Sequence, residues 1–225
     1  MANFFNLELD TIGPANPVLT FVDGLYTAVQ IVDVNVLTDD PVTTGYQMKI
    51  WGDVDIAFDV DVQATELNST WITYASLKQI KLSTGDGLKT VSMKIRDDVY
   101  NESTIASDII TFDSTLPIVN IVAGPDVIKI SKITGKNECN FSFQTAEIFI
   151  EYKVKVVPNS GSLESAGTTI GTDNGSLNMS GTGTFPAATP INSKITGTDL
   201  EIASSGDAVK VIKVFVKDQA GNWSV

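Results

Sequence analysis

Residues 85–103 read GDGLKTVSMKIRDDVYNES, and residues 206–224 read GDAVKVIKVFVKDQAGNWS. A constant separation of 121 residues sets Gly85 on Gly206, Asp86 on Asp207, Lys89 on Lys210, Asp97 on Asp218, Asn101 on Asn222 and Ser103 on Ser224. The apolar residues between them alternate and also match: Val91 with Ile212, Met93 with Val214, Ile95 with Val216. Side chains two apart lie on one face of a strand. Each copy therefore reads as a Gly-Asp turn, a long strand with one apolar face, and a closing Arg/Lys-Asp-x-x-x-Asn-x-Ser turn. A pattern repeated at fixed spacing marks a repeated fold.

The same two-residue alternation recurs at Val154 and Val156, while helical periodicity is almost absent. Val, Ile, Thr and aromatic residues fill these runs, and Gly, Asn, Asp and Pro punctuate them, as in an all-β sandwich or barrel. A weaker match pairs Gly45-Tyr46-Gln47-Met48-Lys49-Ile50 with Glu151-Tyr152-Lys153-Val154-Lys155-Val156, at a separation of 106 that implies about 15 extra residues in the second copy. Two domains follow, 11–115 and 116–225, behind a strand segment at 1–10. The extra residues fall in 158–190, a Gly/Ser/Thr-rich stretch with few large apolar side chains. It reads as a long exposed loop or a floppy hairpin that presents Thr172, Asn174 and Phe185 outward.

The two ends of the chain differ. Leu7-Glu8-Leu9-Asp10-Thr11-Ile12-Gly13-Pro14 echoes Ile110-Thr111-Phe112-Asp113-Ser114-Thr115-Leu116-Pro117, with Asp10 on Asp113 and Pro14 on Pro117. The later segment follows the first closing turn, as a last strand would, and nothing comparable follows Asn222-Trp223-Ser224-Val225. Three explanations stand side by side: a longer array, a dispensable last strand, or completion of the sheet by another copy's N-terminal strand. On the last of these, Phe4, Phe5, Leu7, Leu9 and Trp223 are interface candidates and the chain self-associates.

With 43% hydrophobic and 19% charged residues the chain is globular. A net charge of −12 and a pI near 4.3 argue against nucleic-acid binding, which needs clustered Lys and Arg. The sequence holds no histidine, which removes the commonest general base and zinc ligand, so no enzymatic activity is expected. The one cysteine, Cys139, reads as a buried thiol beside Phe141 and Phe143. No membrane span is present, and MANFFNLELD has none of the features of a signal peptide.

Two further stretches carry polar or aromatic candidates. Asp53-Val54-Asp55-Ile56-Ala57-Phe58-Asp59-Val60-Asp61 reads as a strand with an acidic face, and fails as a calcium loop because Phe58 stands where glycine is required. Trp51, Trp71 and Tyr74 read as core residues, with a sugar-stacking platform as the competing reading.

Lys217-Asp218-Gln219-Ala220-Gly221-Asn222-Trp223-Ser224 resembles the end of a bacterial immunoglobulin-like repeat, and Asp113-Ser114-Thr115-Leu116-Pro117 resembles the linker between such repeats. The first copy departs from the pattern, with Val99-Tyr100 where Ala-Gly is usual. The resemblance implies an all-β chain of two tandem immunoglobulin-like β-sandwich domains. Such repeats occur in bacterial surface adhesins and on tailed-bacteriophage particles. Without an export signal or wall anchor, the expected role is a structural, assembly or decoration protein of a phage virion, assembled in the host cytoplasm. It would contact other virion proteins, with host-surface glycan as a further partner. The alternative is an adhesin or carbohydrate-binding module at the bacterial cell surface. Related adhesin repeats bind Ca2+ near the linker, which makes Asp97, Asp98, Asn101 and Asp113 the candidate cation ligands here; the competing reading is that Asp and Asn hydrogen-bond the turn backbone.

Overall fold

The computed structural model describes residues 5–225. The chain divides into two compact units, one ending at Ser114 and the other beginning at Thr115, each with its own core.

The first unit runs through β1 (Val18–Phe21), β2 (Tyr26–Thr27), β3 (Ile31–Leu37), β4 (Gln47–Gly52), β5 (Ile72–Thr73), β6 (Leu77–Lys81), β7 (Gly87–Arg96) and β8 (Ala106–Phe112). These strands form two sheets, β1-β3-β6 and β2-β8-β7-β4-β5. Val32, Val34 and Val36 from one sheet and Met48, Ile50, Val91, Met93 and Ile95 from the other share a single buried cluster. The residues between them, Asp33, Asn35, Lys49 and Ser92, keep contact with water. Alternation thus becomes one dry face per sheet, and each fully buried Val or Ile contributes about 1.5–3 kcal/mol.

The second unit runs through β9 (Val119–Ala123), β10 (Glu138–Thr145), β11 (Phe149–Val157), β12 (Thr168–Thr169), β13 (Ser180–Phe185), β14 (Ile191–Thr196), α1 (Gly197–Ala203) and β15 (Val211–Asp218). One sheet is β14-β10-β9. In the other, β15 pairs along the whole of β11, and β12 and β13 pair with separate parts of β11 on its opposite edge. Phe143 and Ile195 from the first sheet meet Phe149, Tyr152, Val154 and Val216 from the second. The chain is two immunoglobulin-like sandwiches in tandem.

The separation of 121 residues holds in the geometry. Asp97 N–H donates to the Asn101 carbonyl (3.2 Å) and Asp218 N–H to that of Asn222 (3.0 Å). Ser103 Oγ accepts from Ile95 N–H at 3.0 Å, as Ser224 Oγ does from Val216 N–H at 3.1 Å. At the strand's other end Lys89 Nζ donates to Ser83 Oγ and the Thr84 carbonyl, and Lys210 Nζ to Ser204 Oγ and the Ser205 carbonyl.

The weaker match is displaced by two residues. Met48 lies opposite Ile95 in β7, and the residue opposite the equivalent Val216 is Tyr152 rather than Val154. The true separation there is 104, not 106. A two-residue slip leaves every side chain on its original face, so the alternating pattern does not reveal it.

The stretch 158–190 is neither a long exposed loop nor a floppy hairpin, since its two strands pair with β11 and not with each other. It supplies β12 and β13, and it lays Ile170 and Met179 fully into the core. Few apolar residues suffice here because both arrive at buried positions beside β11. The expected strand at 1–10 differs too: residues 5–14 carry no strand pairing, and Phe4 lies outside the described residues. This segment is held by the first closing turn, where Asn101 Nδ2 donates to the Asp10 carbonyl (3.3 Å). A Cβ at Gly13 would sit 2.1 Å from the Glu102 carbonyl oxygen, so only glycine permits the approach. Among the described residues no helix is long and apolar enough to cross a membrane.

Candidate functional site

The closing turns are organised by their aspartates. Asp97 is buried, and its Oδ1 accepts from Val99 N–H (3.0 Å) and Asn101 N–H (2.9 Å), while Oδ2 accepts from Asn101 Nδ2 (2.9 Å). Asp218 does the same for Asn222 N–H (2.8 Å) and Nδ2 (2.9 Å). Asp98 is exposed, and Asp113 is half-buried with its N–H donating to the Thr27 carbonyl. The carboxylates of Asp97, Asp98 and Asp113 do not converge on one point. Turn organisation accounts for Asp97 and Asn101.

The acidic run 53–61 is a chain of turns rather than a strand. Asp55 Oδ1 accepts from Ala57 N–H and Asp59 Oδ1 from Asp61 N–H, each at 3.0 Å. Of its alternating apolar residues only Val54 is buried; Ile56, Phe58 and Val60 are exposed. Two lysines of β6 pair with two of its four aspartates, Lys81 with Asp55 (2.8 Å) and Lys78 with Asp59 (2.6 Å). The Lys81 hydrogen bond, with that from Ala57, holds the Asp55 carboxyl below the usual range. At Asp59 burial pushes upward, but the bonds from Lys78, Asp61 and Val62 outweigh it. Aspartates bond their own turn more readily than they sustain a pleat, which defeats the period-two reading.

The aromatic residues do not form a platform. Tyr74 packs against the core with its hydroxyl donating to the Val36 carbonyl (2.7 Å). The Trp71 ring lies under Arg96 (4.5 Å) and Lys49 (5.2 Å), and Arg96 also covers Tyr100 (4.3 Å). Trp51 is half-buried on β4. Trp223 is half-buried under Lys153 (4.6 Å) and Lys217 (5.6 Å), so its ring packs on the sheet of its own unit. Cation–π contacts of this kind stabilise by about 0.5–1 kcal/mol at exposed sites and occupy the ring face.

Of the residues expected to project from 158–190, Thr172 and Asn174 are exposed. Phe185 is not: it lies in β13 and stacks on Phe149 at 4.8 Å, with Tyr152 edge-on at 5.2 Å. The anchor of this stretch is Asp199 on α1, whose sequence signal is the capping-box spacing Thr196-x-x-Asp199: Thr196 caps the helix, its Oγ1 accepting from Asp199 N–H at 3.3 Å. Asp199 is almost fully buried and accepts from Asn174 N–H (3.1 Å), Asn174 Nδ2 (2.9 Å), Ser176 N–H (3.0 Å) and Thr196 Oγ1 (3.0 Å). Burial alone raises an aspartate pKa, but these bonds outweigh it and lower Asp199 to about 2. Cys139 is half-buried, donates to the Val127 carbonyl (3.4 Å), and has its thiol pKa pushed up by burial.

The two units differ at one edge. In the first, β7 is paired on both sides, by β4 and by β8. In the second, β15 pairs with β11, and among the described residues no strand lies along its other side. Ile212 is 36% exposed where its counterpart Val91 is 0%. Gly87, Leu88 and Lys89 pair with β8, whereas their counterparts Ala208, Val209 and Lys210 fall outside β15, and Val209 is 99% exposed. Exposed apolar residues also mark the N-terminal segment: Phe5 at 84%, Leu7 at 86% and Leu9 at 87%.

Fibronectin(III)-like modules of Clostridium thermocellum CbhA are similar to this chain at a TM-score of 0.42 and 10% identity, over 92% of this chain and 90% of that one. The chitinase ChiA74 from Bacillus thuringiensis is similar at a TM-score of 0.31 and 14% identity, over 92% of this chain and 30% of its own. No protein-family model matches the sequence, and no curated protein matches it. Likeness at this level names no ligand and no partner.

Proposed function

We propose that this chain is a structural, assembly or decoration protein of a tailed-bacteriophage virion that works through protein–protein contacts. The observation that carries an assembly role is the apolar stretch Phe5, Leu7, Leu9, whose side chains alternate with polar ones and are all more than four-fifths exposed. Large apolar side chains kept together in water belong to an interaction surface. The rest of the molecule suits a spacer: two sandwiches whose closing turns are locked by buried Asp–Asn pairs. The virion itself rests on the sequence resemblance. Antibody raised against the purified chain tests it on particles released from the producing host. Labelling at a regular position on the particle is expected; label confined to the cell envelope rejects it.

A cell-surface glycan binder is the second reading, and one feature favours it. A depression of about 400 Å3 in the second unit is lined by Asp126, Asn140, Phe141, Asn192 and Lys194, an aromatic among hydrogen-bonding groups. Binding on a glycan array that disappears with Asn192→Ala and persists with Thr172→Ala supports that reading.

A further inference from the structure

We propose that the outer face of the first unit's larger sheet, at Arg96, Lys49, Trp71 and Tyr100, docks a protein segment that presents a single carboxylate. Arg96 is the chain's one arginine. It stands on β7 opposite Gln47 of β4, on the face turned away from the buried Met48 and Ile95, and its Nε donates to Gln47 Oε1 at 2.7 Å. Its guanidinium lies against the rings of Trp71 (4.5 Å) and Tyr100 (4.3 Å), and Lys49 lies against the same Trp71 ring (5.2 Å). Among the described residues no carboxylate pairs with Arg96 or with Lys49. Glu102, whose backbone bridges to that of Arg96, gives its carboxylate to Lys94 (3.1 Å), as Glu66 does (2.7 Å). Asp98 lies against Gly45, where an added Cβ would meet its Cβ at 2.7 Å. The chain holds 27 acidic residues against 15 basic ones, so the lack is one of placement and not of composition.

The second unit shows what the first leaves out. Glu151 lies opposite Lys217 on β11 and β15 as Gln47 lies opposite Arg96 on β4 and β7, and Lys153 takes the place of Lys49. There too both cations lie against one indole, that of Trp223. But Glu151 pairs with both, Lys153 at 3.2 Å and Lys217 at 3.7 Å, and Glu164 adds a bond to Lys153 at 2.9 Å. The second unit thus closes its cation pair with its own carboxylate, and the first has the neutral amide of Gln47 in that place. A carboxylate from outside supplies the missing charge. The guanidinium is shaped for it: Gln47 holds Nε, and among the described residues the two terminal nitrogens hold no acceptor, which leaves a fork that fits a planar carboxylate.

The surroundings select a protein. Arg, Trp and Tyr are the side chains that most often carry the binding energy of protein interfaces. Tyr100 is 64% exposed, and it brings its ring to Arg96 from a backbone φ of 71°, a conformation that only glycine adopts without strain. Acidic groups act on the same region: burial first, then the charges of Asp40, Asp97, Asp98 and Asp10, raise the pKa of Tyr46, the chain neighbour of Gln47. Such surroundings repel an acidic polysaccharide, whose charges repeat, and admit one carboxylate seated on Arg96. This inference rests on reading the chain as one that works through protein–protein contacts, and it names the partner's chemistry at one surface.

The test is selection of a randomised peptide library on the full chain, followed by titration of the selected peptides into isotope-labelled chain. A single arginine gives a single guanidinium Nε–H resonance, so the site reports on itself. The selected peptides are expected to share an Asp or Glu, to shift that resonance saturably, and to lose binding when the shared acid is replaced by its amide. Gln47→Glu copies Glu151 of the second unit and closes the site from within, so it should weaken binding by about tenfold or more. Arg96→Lys keeps the charge and loses the fork, and should weaken binding as well. Gln79→Glu, the same change at an exposed position of β6 in the other sheet, should leave binding unchanged. A library that yields no acidic peptide, or binding that survives both Gln47→Glu and Arg96→Lys, would overturn the inference. So would saturable binding of polysialic acid or polygalacturonate at the Arg96 resonance in place of the peptides. A chain that labels particles but selects no acidic peptide would overturn this surface alone, and one that selects such peptides but labels only the cell envelope would overturn the virion and leave the surface standing.

Discussion

Tyr100 and Gly221 hold the same position in the two closing turns, with positive φ values of 71° and 100°. Both donate their N–H to the carbonyl of the turn aspartate, at 3.2 Å to Asp97 and 3.3 Å to Asp218. A side chain in this region of backbone space is strained by about 1–2 kcal/mol, which glycine avoids. Tyr100 tolerates it with Arg96 laid over its ring at 4.3 Å.

Gly221→Ala is therefore expected to destabilise the second unit by about 1 kcal/mol through the backbone alone, since nothing lies within 4 Å of the added Cβ. Tyr100→Gly relieves the same strain but loses the Arg96 contact and loosens the unfolded chain, so its net effect is smaller. Urea denaturation of the two variants measures this. A larger loss for Tyr100→Gly than for Gly221→Ala would contradict a shared backbone cause.

Asp218→Ala removes a buried carboxylate that accepts from Asn222 N–H and Asn222 Nδ2 in a part-buried turn. Two hydrogen bonds from part-buried donors to a buried carboxylate are lost, at about 1 kcal/mol each, so a loss of about 2 kcal/mol is expected. Asp97→Ala should cost a similar amount, because the equivalent bonds are present in the first unit. Asp98→Ala, at the exposed next residue of the same turn, should lie within about 0.5 kcal/mol of the parent. Parallel thermal melts of the three variants separate these outcomes.

The closing strand is legible in sequence because its signals are redundant: alternation, a Gly-Asp turn before it and an Asp-x-x-x-Asn turn after it all agree. Elsewhere one signal stands alone. At 53–61 alternation meets four aspartates, and each Asp that bonds its own turn removes a link from the pleat. At 45–50 the alternation is real, but it cannot distinguish a separation of 104 from one of 106. At 158–190 composition misleads, because the stretch is fixed by contacts distant in sequence: Asp199 holds Asn174 and Ser176 from 25 and 23 residues away. The exposure of Ile212, 36% against 0% for its counterpart Val91, emerges only in three dimensions.

Asp199 also makes stability depend on acid. Its pKa is about 2 in the folded chain against an ordinary value of 3.8. A lowered carboxylate pKa contributes stability that is complete above the unfolded value and lost as pH falls through the folded one. The contribution, about 2 kcal/mol by the size of the shift, is therefore present at neutral pH and disappears between about pH 4 and pH 2. Asp199→Asn should lower stability at pH 7 and flatten the slope in that window. Its amide also turns donors toward the N–H groups of Asn174 and Ser176. Chemical denaturation at pH 7, 4 and 2.5 measures the difference from the parent, which should narrow steadily toward acid.

Met179 decides whether 158–190 is part of the second core or a surface appendage. Its side chain is fully buried beside Ile170 and Tyr152 in one cluster, although its neighbours Leu177 and Asn178 are exposed. Its carbonyl accepts from Val154 N–H at 2.7 Å, tying the stretch to the middle of β11. Met179→Ala leaves the backbone bond and removes the side chain, creating a cavity in the core. A loss of about 2–5 kcal/mol is expected, against less than about 0.5 kcal/mol for Thr172→Ala in the exposed part of the same stretch. Proteolysis gives an independent reading. The stretch holds no Lys or Arg, so the protease must cleave after large apolar residues: if the stretch is core, cleavage after Leu177 should be slow in the parent, and Met179→Ala should open it to nicking. Equal stability of the two variants would return the stretch to the surface loop that its composition suggests.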